Sequence, residues 1–319
     1  MTRYVIRRLL WGVGLLIIVC LLTFIIFRVL PSVNPAVARA GRDPQPRLIR
    51  EIERVLGLNK SLPVQFWDYL KGIFLHFNFG FSYYSEESVT NLIKERLPAT
   101  ASLTIGAAFL WVVGGVSVGI ISALRPRSLR DRASMGTALV LISAPEFWLG
   151  LVLLYVFASD IGKFKVFPGA GSYVGLTSDP GKWFTSLILP WIVLASGGAA
   201  VYARVMRGNL IETMKEDYIR TARAKGLRER AVVRQGVRSA INPIVTLAGV
   251  EIGLLLGGAV VVEQVFNIPG IGRLAYTSIV NSDYSVIEGT VLLASMFIIL
   301  ANIIVDIAYA YLDPRVRYS

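Results

Sequence analysis

The stretch LPATASLTIGAAFLWVVGGVSVGIISAL, residues 97–124, runs for 28 positions without a charged side chain. An α-helix rises 1.5 Å per residue and the hydrocarbon core of a bilayer is about 30 Å thick, so some 20 apolar residues are enough to cross it. Uncharged runs of 19 and 21 positions stand on either side, at residues 9–27 and 183–203. Three more apolar runs hold one ionisable group each: Glu146 within residues 133–159, Glu251 within 239–262 and Asp306 within 289–312. Six spanning helices are expected.

Composition agrees. Of 319 residues 54% are hydrophobic and 17% charged, where soluble domains carry about 25% charged residues, and the mean hydropathy is +0.59. A soluble fold is excluded. A net charge of +12 raises nucleic-acid binding only if the basic residues form a surface of their own, and here they sit mostly between apolar runs, so no nucleic-acid partner is expected. One cysteine, Cys20, and one histidine, His76, cannot build a disulfide framework or a Cys/His metal site. Both read as packed or lipid-facing side chains.

Short cytoplasmic loops carry an excess of Lys and Arg. Arg3, Arg7 and Arg8 precede the first run, RPRSLRDR follows the second, ten basic residues lie between Arg204 and Arg238, and Arg315 and Arg317 close the chain. Both termini are therefore expected in the cytoplasm. The segment 32–96 falls outside; it too is basic, but long loops translocate largely regardless of charge. A cleaved signal is the alternative for the first run, with Ala38-Arg39-Ala40 as its processing site. The run exceeds the usual 7–15 residue signal core, so a retained helix is expected.

The organisation that follows is an N-terminal span (1–30), an external loop (31–96), a five-span core (97–312) and a cytoplasmic tail (313–319). Within the loop Leu48, Ile49, Ile52, Val55 and Leu56 recur at helical spacing between Pro46 and Gly57, which predicts a short amphipathic helix. The aromatic run Phe74, Phe77, Phe79, Phe81, Tyr83 and Tyr84 suits either the outer membrane interface or an entrance vestibule. Residues 160–182, rich in Gly and Pro, read as a second external loop.

The cytoplasmic link 207–240 is too long for a simple helical connection, which usually takes 2–8 residues. Its stretch EDYIRTARAKGL, residues 216–227, has acids in the first turn, bases toward the end and Gly226 to stop a helix. A second basic helix over 228–239 runs into Asn242-Pro243. A docking element is expected over about 212–240; a basic helix lying on anionic lipid is the alternative.

At these residues the chain resembles the permease subunits of ABC importers, specifically the dipeptide/oligopeptide family. YIRTARAKGL is similar to the family's ATPase-docking segment, with Ala222 and Gly226 at its second alanine and glycine. Further matches are MTRYVIRRLL at the start, Arg96-Leu97-Pro98-Ala99-Thr100, residues 263–272 (EQVFNIPGIG) and Leu312-Asp313-Pro314-Arg315-Val316-Arg317. Arg220-Thr221-Ala222 in place of the general Glu-Ala-Ala, and a Pro243 about one helical turn late, are typical of peptide permeases and narrow the family, whereas the altered Pro31-Ser32-Val33-Asn34-Pro35 and Asn78-Phe79-Gly80 leave the cargo open.

The resemblance implies an all-α integral membrane fold of six transmembrane helices with a cytoplasmic coupling helix and a long external first loop, in a bacterial or archaeal cytoplasmic membrane. It also implies the partners: a related second permease, two ATPase subunits, an external binding protein and membrane lipid. Peptides are the implied cargo, with nickel, glutathione, haem or another small solute as alternatives. Tyr218, Thr221, Ala222, Arg223, Ala224, Lys225, Gly226 and Leu227 are the implied ATPase-coupling residues.

Neither Gly162-Lys163-Phe164 nor Gly181-Lys182-Trp183 completes a GxxxxGK[ST] phosphate loop. The chain is thus expected to bind no cofactor and catalyse nothing itself, with ATP and magnesium on the ATPase subunits. An ion-coupled secondary transporter, the alternative from another class, has no use for a docking segment.

Ionisable groups inside a span are functional candidates by default. Glu146 and Glu251 fall mid-run, whereas Glu263, Glu288 and Asp306 fall near ends, where capping, pairing or water is expected. Gly249, Gly253 and Gly257 form one packing stripe, and at 100° per residue Glu251 lies about 200° from Gly249. Glu251 therefore faces either the translocation path, where it would meet a peptide ammonium, or a hydrogen-bond partner between helices. Gly114, Gly115 and Gly119 with residues 197–200 offer similar small packing surfaces.

Overall fold

Proline placement and glycine turns decide where the long apolar runs break. A computed structural model describes residues 2–30, 46–55, 59–82 and 84–312. The readings of residues 31–45, Leu56, Gly57, Tyr83 and the tail with Arg315 and Arg317 lie outside the described residues, as do the side chains of Arg3, Leu48, Ile49, Ile52 and Val55.

Helix α1 (Thr2–Phe24) passes into a π-helical turn (Ile25–Val29). Next along the chain are α2 (Pro46–Val55), where an amphipathic helix was expected, and α3 (Leu62–His76), whose Pro63 suits a first helical turn because its missing N–H has no partner there anyway. The aromatic run holds a small hairpin of β1 (Phe81–Ser82) and β2 (Glu87–Ser88). Phe79 is buried and Phe77, Phe81 and Tyr84 are exposed.

The core contains α4 (Val89–Leu124), α5 (Leu129–Ser143), α6 (Glu146–Phe157), α7 (Pro180–Thr213), α8 (Asp217–Ala224), α9 (Glu229–Ala240), α10 (Asn242–Leu256), α11 (Val260–Val265), α12 (Ile271–Val280) and α13 (Tyr284–Leu312). Among the described residues four helices are long and apolar enough to cross a membrane singly: Val5–Val29, Val89–Leu124, Pro180–Thr213 and Tyr284–Ile307. Two bent pairs, α5 with α6 and α9 with α10, bring the number to six if each makes one span.

Three expectations of helix extent are corrected. The run 133–159 is not one helix: α5 and α6 meet at 104°, because proline disfavours the helical conformation for the residue before it and Ala144 is extended at ψ 123°. The run 239–262 ends early, at Leu256. Gly258 takes φ +127°, and a Cβ there would meet the Gly272 backbone at 2.5 Å. Conversely, α4 begins at Val89 and α7 reaches Thr213. Charges such as Lys94 and Arg207 mark where the apolar run stops, and a helix continues through them.

Lipid tails are as apolar as leucine, so helices within a bilayer associate through close packing more than through burial from water. The α4–α7 seam, the most extensive among the described residues, illustrates this. A Cβ on Gly115 would meet Ala199 O at 2.6 Å and Tyr202 Cβ at 2.7 Å, and one on Gly119 would meet Ala203 O and Met206 Cβ at 2.7 Å. The second seam joins α10 to α13, where Gly249, Gly253 and Gly257 lie against Val305, Ala301 and Ala294. A separate apolar cluster ties α1 and α3 to α12 and α13 through Cys20, Phe24, Tyr69, Ile73, Ile271 and Val286.

Candidate functional site

The two-helix arm of α8 and α9 grows directly out of α7. Ile219, Ala222 and Val232 are buried with Met214 packed on them, and a Cβ on Gly236 would meet Met214 Sδ at 2.9 Å, so α8 and α9 close on the end of α7. Asn209 Nδ2 donates to Ala240 O (3.3 Å) and Tyr218 OH to Ser239 Oγ (3.0 Å). Arg223 donates twice to Glu229, at 3.2 and 2.8 Å.

Gly226 ends α8 with φ +77°. Its N–H returns to Arg223 O (2.9 Å) and that of Leu227 to Ala222 O (3.3 Å), the bond pair with which a glycine closes a helix. Of the coupling residues read from sequence, Tyr218, Thr221, Arg223, Ala224, Lys225, Gly226 and Leu227 are exposed. Tyr218 and Leu227 are each 45% exposed, an apolar surface flanked by basic residues. Ala222 faces inward and presents nothing to a partner; its small side chain lets α8 sit against α9.

A buried ionic knot lies above this arm. Asp131, 3% exposed, accepts from Arg207 Nε (2.6 Å) and Nη2 (2.8 Å), from the Arg127 N–H (2.7 Å) and from the Ser122 hydroxyl. Ser122 belongs to α4, Asp131 to α5 and Arg207 to α7. Sequence reasoning missed it because RPRSLRDR counted only as positive charge; the lone acid in a basic turn was the available signal.

Within the helices Glu251 accepts from Tyr202 OH at 2.8 Å, on the side of α10 away from the glycine seam with α13. Tyr202 in turn packs beside Trp111, ring centroids 6.4 Å apart. Glu146 is not mid-helix: it stands exposed in the first turn of α6, at the break, and among the described residues nothing hydrogen-bonds to it. The fold does not bring the two carboxylates together through any shared partner among those residues.

Among the described residues the most enclosed carboxylate is Glu263, at 0% exposure, where an end-of-span position had suggested capping, pairing or water. It does cap: Oε1 accepts from Thr100 Oγ1 and Oε2 from the Arg273 N–H, each at 2.8 Å, and Thr100 Oγ1 accepts from the Ile271 N–H at 2.8 Å. The N-terminus of α12 is thus held by a carboxylate, the favourable sign for a helix dipole. Glu288, also buried, pairs with Arg28 at 3.5 Å, whose guanidinium lies over the Tyr69 ring at 4.6 Å. Asp306 pairs with Arg8 at 2.9 Å.

Comparison with known proteins adds to this geometry. Residues 115–318 match the family described as binding-protein-dependent transport system inner membrane component, and residues 1–104 match the N-terminal region of such membrane components. Over the full length of both chains, the protein is 40% identical to the glutathione transport system permease protein GsiC of Pectobacterium atrosepticum. It is 39% identical to GsiC of Salmonella typhimurium and 37% identical to a protein named as a peptide transport system permease in Brucella abortus, again over full lengths. With two family matches covering nearly every residue and full-length relatives near 40% identity, the chain belongs to the binding-protein-dependent inner membrane components, the permeases of peptide-type ABC importers.

Proposed function

We propose that this chain forms one half of a transmembrane pathway for short peptides, glutathione among them, and that α8 seats in an ATPase subunit. The relatives' names support a peptide-like cargo. The observation that carries the docking reading is an exposed, Gly226-terminated helix packed on the end of α7. ATP and magnesium then lie on two separate ATPase subunits, a related permease completes the pathway, an external binding protein delivers cargo, and both termini face the cytoplasm. ATPase closure pulls α8 and rocks the spans between inward-open and outward-open states.

The test is purification from native membranes in mild detergent, mass spectrometry of the chains that come with it, and an ATPase assay with and without trialanine or glutathione. Co-purifying ATPase and second-permease chains with cargo-stimulated hydrolysis are expected; transport by the chain alone on an ion gradient would overturn the reading. Gly226→Asp sharpens it. A Cβ at Gly226 meets open space, and the left-handed φ costs a non-glycine residue about 1–2 kcal/mol locally, so membrane insertion should survive while uptake is abolished. Full uptake by that variant removes α8 from the coupling role.

A further inference from the structure

We infer that the Asp131–Arg207 pair is the joint that makes α5 travel with α7, so that motion delivered through α8 reaches the α5–α6 break. The inference rests on the coupling role proposed for α8.

Three observations lead to it. The knot fills its acceptor completely. A carboxylate offers about four lone-pair sites, and Asp131 uses them on two guanidinium N–H groups, one backbone N–H and one hydroxyl. A two-pronged Arg contact fixes direction as well as distance, so α5 cannot rotate about this point while the pair holds.

Secondly, α5 runs along α7 yet encloses few side chains of its own. Its only buried side chains among the described residues are Asp131 and Ala138, and between α4, α5 and α7 lies a cavity of about 360 Å³ lined by small residues such as Gly114, Ser134, Thr137 and Ala199. The α4–α7 seam beside it is tight, with Gly115 and Gly119 in direct backbone contact. A helix with so few enclosed side chains depends on its ionic anchor for its setting, whereas α4 and α7 are held backbone to backbone by their glycine seam.

Thirdly, the anchor lies on the force-bearing line. Arg207 sits in the same unbroken helix that ends at Thr213 and feeds α8, about 9 Å from that end at 1.5 Å per residue. At the far end of α5 is the 104° break with exposed Glu146 beside it. Asp131 and Arg207 are therefore positioning residues, which touch neither nucleotide nor cargo.

The experiment uses the purified complex in lipid nanodiscs with spin labels at Val140→Cys on α5 and Val201→Cys on α7, both exposed sites, while the single native thiol, Cys20, is fully buried. The α5–α7 distance distribution is measured without nucleotide and after trapping with ATP and vanadate. The wild-type background should give the same narrow distance in both states. Asp131→Asn should match it without nucleotide and depart from it on trapping. In proteoliposomes its transport per ATP hydrolysed should fall by at least about fivefold, the lower end of usual coupling strengths, with hydrolysis retained.

An unchanged distance in the trapped variant overturns the inference, and so does a distribution already broadened without nucleotide, which marks a merely structural bond. Should Asp131→Asn fail to assemble, Ser122→Ala, which removes one of the four donors, carries the same two criteria with a smaller shift. If no ATPase chain accompanies the wild-type protein, the coupling role of α8 fails first; if one does and the distances do not separate, this inference alone fails.

Discussion

Glu263 and Glu251 sit on neighbouring elements, α11 and α10, and the fold treats them in opposite ways. Glu263 accepts on both oxygens, from Thr100 and Arg273, and has no exposure at all. Glu251 accepts one bond, from a tyrosine hydroxyl, in a half-buried position. A carboxylate bonded on both oxygens to groups on two other elements cannot change partners without undoing the turn it holds. One that shares a single hydroxyl can exchange it for another donor, as a residue beside a moving cargo must. Completeness of hydrogen bonding separates a fastening from a candidate contact better than depth in the membrane does.

The hardest blow to the contrast is Gly270→Val. A Cβ at Gly270 would overlap the Glu263 carboxylate, and prising that carboxylate from both its donors leaves buried polar groups unpaired at about 1–3 kcal/mol each. Folded protein recovered in detergent should fall sharply, as read by size-exclusion yield and thermal melting. Thr100→Val is gentler: it keeps the shape but strands Glu263 and the Ile271 N–H together, costing about 1–3 kcal/mol. A lower melting temperature with retained assembly checks it. If neither variant melts earlier than wild type, Glu263 is not a fastening.

At the other carboxylate the effect on stability should be smallest. Tyr202→Phe removes a side-chain hydrogen bond of the kind that averages about 0.6 kcal/mol within membranes. Glu251→Gln should leave the melting temperature nearly unmoved while lowering trialanine or glutathione uptake. Unchanged uptake across several pH values would return Glu251 to a packing role and collapse the contrast.

What could be read from the chain, and what could not, divides along the same physical line. The stop at Gly226 and the polarity of EDYIRTARAKGL are local, and α8 and α9 lie close to where they were expected. The glycine stripe on α10 is also local, since periodicity alone puts Gly249, Gly253 and Gly257 on one face. The Glu263 fastening is not local: Thr100 lies on α4, and nothing near residue 263 announces it. The Asp131–Arg207 contact likewise joins α5 to α7. The bend before Glu146 was within reach, because Pro145 stands in the sequence, but an uninterrupted apolar count passed over it. Helix α3 went unread for a similar reason, its aromatic residues drawing notice from the Ser61-Leu62-Pro63 start.

The first helix holds a consequence for how the protein is made. Helix α1 is the most apolar of the four single spans and the least enclosed by its neighbours, and its contacts include Arg8 with Asp306 and Gly12 against Ile303, both on α13. During synthesis α1 leaves the ribosome long before α13, so α1 must rest in lipid without this neighbour while the intervening helices are threaded. Its surplus of apolar surface suits that wait, since an isolated span survives on its affinity for lipid alone. Closure of the molecule is therefore a late event, the docking of an early helix onto a late one, and a nascent chain halted before α13 would lack the Arg8–Asp306 pair.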